Sequence, residues 1–150
     1  IIGGVDLPIL DMTSSDPYVV AKFDREVIHK TVHLPKSLNP IWTIKTGSMF
    51  VFDVRAKELF QNYEGLCLEV LDYDAYGGHD VMGIVKIPPK FLYSASEERE
   101  EFPLRPLKAK GANSNVSGKL AIRCRKATNY DKEFLEEYNE YQKQKKKKDP

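Results

Sequence analysis

At 150 residues the chain has the length of one domain, enough to bury roughly two thirds of its unfolded surface. Its 23 Lys and Arg against 22 Asp and Glu leave a formal charge of +1, which argues against a globally basic nucleic-acid binder or an acidic tail. With 41% hydrophobic and 11% aromatic residues, the composition also argues against intrinsic disorder.

In chain order, short apolar or alternating runs occupy Ile1 to Gly4, Tyr18 to Phe23, Val27 to Leu34, Ser48 to Val54, Leu66 to Leu71, Val81 to Ile87, Phe102 to Leu107 and Lys119 to Cys124. Turn residues separate them, among them Pro17, Pro35, Pro40, Gly47, Gly65, Gly77-Gly78 and Pro88-Pro89. This spacing predicts an all-β, antiparallel sandwich of about eight strands over residues 1–126. Residues 127–150 switch period. Tyr130, Phe134, Tyr138 and Tyr141 fall on one stripe of a helix, and Thr128 with Asp131 has the spacing of a capping box. The stripe either docks on the domain's own sheet or meets a protein partner. Lys145 to Lys148 end the helix as a basic run, solvated or drawn to anionic lipid.

Cys67 and Cys124 sit among strand-like apolar residues, as reduced thiols do, and no window reaches the ~18 apolar residues of a spanning helix. A cytoplasmic protein is expected. The chain opens without Met on strand-like Ile1-Ile2, as a piece of a longer protein would.

Five aspartates stand out by position: Asp11 and Asp16 in the first inter-strand turn, and Asp72, Asp74 and Asp80 around Tyr73-Asp74-Ala75-Tyr76-Gly77-Gly78-His79. Each group borders an apolar run, so the carboxylates are held at strand ends. If those loops share one end of a sandwich, five negative charges converge and repel unless a cation joins them. Calcium suits such a site, because it accepts six to eight oxygens in irregular geometry. Zinc does not, since these loops hold no Cys and His79 is the only nearby nitrogen ligand. An EF-hand is excluded by the absence of a twelve-residue loop closed by Glu between helices. For any one Asp alone, turn-making is the commoner role.

Ser15-Asp16-Pro17-Tyr18-Val19, Leu38-Asn39-Pro40-Ile41-Trp42, Leu66 to Asp74 and Asp80-Val81-Met82-Gly83, preceded by Ile1-Ile2-Gly3-Gly4-Val5-Asp6-Leu7-Pro8, resemble the C2 domain family in this order. The resemblance implies an eight-stranded Greek-key sandwich opened by the N-terminal strand, followed here by a C-terminal helix. It implies calcium ligands at Asp11, Asp16, Asp72, Asp74 and Asp80, with main-chain carbonyls of Leu10 and Tyr73. Gly77 and Gly78 offer no side-chain ligand where relatives add a further one, so two ions are expected.

The resemblance also implies calcium-dependent binding to anionic phospholipid membranes, with Met12, Thr13, Ala75, Tyr76 and Gly77 at the inserting loop tips. Lys30 and Tyr18 match positions of a basic lipid-reading face. Val32, Leu71 and His79 replace that face's other residues, which favours a phosphatidylserine-type lipid over a phosphoinositide. Trp42 and Pro40 read as structural, and His29 and His33, four apart, as surface residues of one strand face. No paired nucleophile and base accompanies His79 and Asp80, so the chain is expected to be a binding module and not an enzyme. The competing reading keeps the fold and drops calcium, giving a protein-interaction or intramolecular docking domain.

Overall fold

The computed structural model describes residues 1–8, 15–55, 57, 64–107 and 117–148. Seven strands fall within them: β1 (Gly3–Val5), β2 (Pro17–Phe23), β3 (Glu26–Lys30), β4 (Leu66–Asp72), β5 (Asp80–Ile87), β6 (Glu100–Pro103) and β7 (Lys119–Ile122). They pair antiparallel into two sheets, β1-β7-β6 and β3-β2-β4-β5.

The alternation legible in the sequence becomes the sandwich interior. Along β4 every second residue is buried, so Leu66, Leu68 and Val70 face inward with Val19 and Ala21 of β2 and Val85 and Ile87 of β5. Leu120 and Ile122 of β7 meet them from the other sheet. Trp42, 3% exposed, fills the same core and donates its indole N–H to the Val32 carbonyl at 2.8 Å. The Pro40 turn beside it packs against β1 so closely that a Cβ on Gly3 would stand 2.5 Å from the Pro40 oxygen, which requires glycine there.

Two helices follow the rules of their ends. α1 (Pro89–Ser94) starts with proline in its first turn, where the missing N–H costs nothing, and buries Phe91 edge-on against Phe102. α2 (Asn129–Lys148) is closed by the expected box: the Asp131 carboxylate accepts the Thr128 N–H at 2.8 Å, and the Thr128 hydroxyl accepts the Asp131 N–H at 3.1 Å. Arg125 grips the same carboxylate with two N–H donors at 2.6 and 2.8 Å, tying the helix to the strand it follows.

Four expectations need correction. Ser48 to Val54 is not a strand: Ile1 N donates to the Ser48 oxygen, and past that point the segment has run beyond β1 and has no ladder partner among the described residues. It packs instead through Phe50 and Phe52 against the core. Seven strands are therefore seen where eight were expected. The aromatic stripe of α2 does not dock as a unit, because Tyr130 (73% exposed), Phe134 (39%) and Tyr141 (60%) point outward and the half-buried face is Leu135, Tyr138 and Gln142. His29 and His33 are half-buried and apart: His29 stacks on Phe50 and donates to the Gly47 carbonyl, while His33 lies flat on Tyr73 at 3.8 Å. Cys67 and Cys124 are free, as expected, and burial pushes both thiols up.

Candidate metal and membrane site

Register builds the site. Asp72, the last residue of β4, lies opposite Pro17 on one neighbour and Asp80 on the other. Asp16, Asp72 and Asp80 therefore end or precede three adjacent strands at one edge of the sandwich. Asp72 is only 5% exposed and accepts the Asp16 backbone N–H at 2.8 Å, while the Tyr73 N–H returns to the Asp16 carbonyl at 2.9 Å. The Asp16 carboxylate accepts the Lys36 N–H at 2.6 Å, which brings the 31–37 segment to the same corner.

From this base the connection between β4 and β5 rises as a small arch. The Asp74 carboxylate accepts the Tyr76 N–H at 2.9 Å and the Asp74 carbonyl accepts the Gly77 N–H at 3.1 Å, a turn closed on itself. Gly77 and Gly78 supply the left-handed φ values of 93° and 74° that the arch needs. Ala75 to Gly78 are exposed, and Tyr76 is 100% exposed.

His79 straps the arch to the sheet, a role its sequence position did not disclose. A carbonyl only accepts, so the His79 Nε2–H donates to Asp74 O at 3.1 Å, and Nδ1 is left to accept the Tyr18 hydroxyl at 2.5 Å. Tyr73 and Tyr18 flank the imidazole edge-on, and His33 backs Tyr73, so a ring cluster supports the acidic corner from below. Burial pushes the Tyr18 phenol up, and the nearby Glu69 charge adds to it. Tyr18 and Lys30 lie on β2 and β3, with Lys30 exposed opposite Val20, but the Tyr18 hydroxyl is already engaged by His79.

Of the expected ligands, Asp16, Asp72, Tyr73 and Asp80 come together at one corner, with Asp74 in the arch above. Leu10, Asp11, Met12 and Thr13 lie outside the described residues. Among the described residues no three His, Cys, Asp or Glu side chains close on one point tightly enough to hold a metal. Asp16, Asp72 and Asp74 each turn one carboxylate oxygen onto a backbone N–H. The donor set itself is all oxygen, carboxylate and carbonyl, and fits a hard divalent cation.

A sequence profile of the C2 domain family matches residues 1–104, and the chain belongs to that family. It is 36% identical over 105 residues to Synaptotagmin-3 of Arabidopsis thaliana, covering 69% of this chain and 17% of that protein. To human C2 domain-containing protein 5 it is 37% identical over 97 residues, 63% of this chain and 9% of the other. An ADP-ribosylation factor GTPase-activating protein of Arabidopsis thaliana, AGD12, shares 33% over 84 residues, 56% of this chain and 22% of the other. The chain thus spans about a fifth or less of the length of these relatives. Among solved structures, the first C2 domain of a plant extended synaptotagmin 1 superposes with a TM-score of 0.60 at 25% identity, covering 81% of this chain and 85% of that one.

Proposed function

We propose that this chain is a membrane-targeting module that binds anionic, phosphatidylserine-type phospholipid in the presence of calcium. The carrying observation is the register that sets Asp16, Asp72 and Asp80 at the ends of neighbouring strands, directly beneath an arch whose tip bears a wholly exposed Tyr76. Membership of a family of non-catalytic binding modules, with synaptotagmins among the relatives, supports the same reading.

Asp16, Asp72, Asp74 and Asp80, with Asp11 and the carbonyls of Leu10 and Tyr73, would hold two ions. Bound calcium supplies positive charge against these carboxylates and open coordination positions for a lipid phosphate or carboxylate. The carboxylates themselves repel an anionic surface until they are neutralised, which makes binding conditional. Tyr76, with Ala75 and Gly77 beside it and Met12 and Thr13 on the first loop, would enter the headgroup layer, where an amphipathic ring is at home. No helix among the described residues is long and apolar enough to cross a membrane. Recruitment through the loop corner is assigned as peripheral, from the cytoplasm.

Calorimetric titration of the chain with calcium tests the metal half of the proposal. Saturable binding that disappears in Asp72→Asn/Asp74→Asn supports it; no heat at millimolar calcium overturns it and leaves calcium-independent protein docking, the reading that the outward aromatics of α2 favour.

A further inference from the structure

The outward face of α2 has a pattern the proposed lipid site does not use. Tyr130, Phe134, Glu137, Tyr141 and Gln144 recur at alternating spacings of four and three, the a/d seam of a two-helix contact. All are exposed, and Tyr130 and Phe134 stack along the helix at 6.4 Å. At 3.6 residues per turn this seam lies about a third of a turn from the half-buried Leu135, Tyr138 and Gln142, so a second helix can lie on it while α2 stays on its own domain. Three exposed aromatics on one helix face form an apolar strip.

Charge selects the occupant. Along the flank of the seam, Glu133, Glu140 and Lys147 are seven residues apart, all exposed, and the helix as a whole runs from acidic (Asp131, Glu133, Glu136, Glu137, Glu140) to basic (Lys143, Lys145, Lys146, Lys147). A membrane is a poor fit, because Glu133, Glu137 and Glu140 border the aromatics and would be pressed against lipid phosphates. A second copy of the same helix running antiparallel fits. The a-to-d register then sets Phe134 opposite Gln144, Glu137 opposite Tyr141, and Glu133 opposite Lys147, each twice by symmetry. A parallel pair would instead bury Glu137 against its own copy.

We infer that α2 is a homodimerisation element, pairing antiparallel with α2 of a second copy through Phe134 and Tyr141, with Glu133 and Lys147 setting the direction. Glu140 meets its own copy at the centre and weakens the dimer, which keeps association in the range that membrane crowding controls. The dimer presents two loop corners at once.

Sedimentation equilibrium of the full chain, run to submillimolar concentration without calcium or lipid, tests this. A reversible monomer–dimer equilibrium is expected, lost in Phe134→Ala. Glu133→Lys and Lys147→Glu should each weaken it by about tenfold, and an equimolar mixture of the two variants should recover heterodimer, because the exchanged charges match again. Glu140→Gln should tighten it. A chain that stays monomeric throughout, a dimer indifferent to Phe134→Ala, or reversed variants that fail to recover on mixing would overturn the inference. Since all these residues are exposed, unchanged circular dichroism of the variants separates lost pairing from lost folding.

Discussion

The Asp72 carboxylate accepts the backbone N–H of Asp16 at 2.8 Å, across 56 residues of chain. One buried side chain therefore both carries charge for the candidate metal site and pins the entrance of β2. The two duties separate by substitution. Asp72→Asn keeps a carbonyl oxygen for the Asp16 N–H, so the thermal midpoint should stay near that of the parent while calcium binding disappears. Asp72→Ala leaves that N–H without its partner and should cost about 1–3 kcal/mol in denaturant unfolding. A large loss of stability in the Asn variant would show that the charge, and not the acceptor, is structural.

Tyr76 offers the opposite separation, since it is wholly exposed. Tyr76→Ala should leave unfolding within about 0.5 kcal/mol of the parent, as exposed substitutions do. Its vesicle affinity in calcium should fall about threefold to thirtyfold, the equivalent of the aromatic surface no longer buried. Flotation with anionic vesicles measures this, and an unchanged affinity would remove Tyr76 from the contact.

How much of this was legible in the sequence follows from which forces act locally. β2, β4 and β5 were visible to within a residue because strict alternation coincides with burial and because Pro17 and Gly65 punctuate them. The placement of Asp16, Asp72 and Asp80 was visible for the same reason: aspartates next to apolar runs end up at strand ends. Ser48 to Val54 misled because alternation states which face is buried, not whether the backbone finds a partner. Pro88-Pro89 read as a turn, yet proline also begins helices, and α1 follows it. The rotation of α2 was not visible in the aromatic stripe: Leu135, Tyr138 and Gln142 form its half-buried face, and the Arg125–Asp131 pair holds its first turn. His79 gave no signal at all, since its strap depends on a tyrosine 61 residues away.

The half-buried His29 imidazole makes stability depend on pH. Burial lowers its affinity for a proton, and the nearby N-terminal ammonium adds to that, outweighing the Gly47 carbonyl. The folded state thus binds this proton less readily than the unfolded chain, whose histidines titrate near about 6.5. The stabilisation is fully present above that value and is lost as pH falls through the lower folded value. Urea midpoints measured from pH 7.5 to 5 should decline, and His29→Phe, which retains a ring for Phe50, should decline less steeply. Identical slopes would show that His29 does not carry the effect.

At the cap of α2 the sign is the same. The Thr128 backbone N–H, followed by Arg125, holds the Asp131 carboxyl below the usual range, and Asp131 in turn holds the Arg125 guanidinium further up. The cap's contribution is present above about pH 4 and is lost as the solution is acidified through the lower folded value. Thr128→Ala removes the hydroxyl half of the box and should cost about 1 kcal/mol. Amide exchange in the first turn of α2 should rise in that variant while the β4 amides stay protected; equal loosening of both would show that helix and sandwich unfold together.

Calcium-conditional attachment to an anionic membrane is the central proposed event, and co-sedimentation with phosphatidylserine-containing vesicles measures it directly. The chain should pellet with vesicles when calcium is added, return to the supernatant with chelator, and remain in the supernatant throughout as Asp72→Asn/Asp74→Asn. Pelleting that is indifferent to calcium, chelator and the double substitution would contradict the assignment of the acidic corner as the membrane switch.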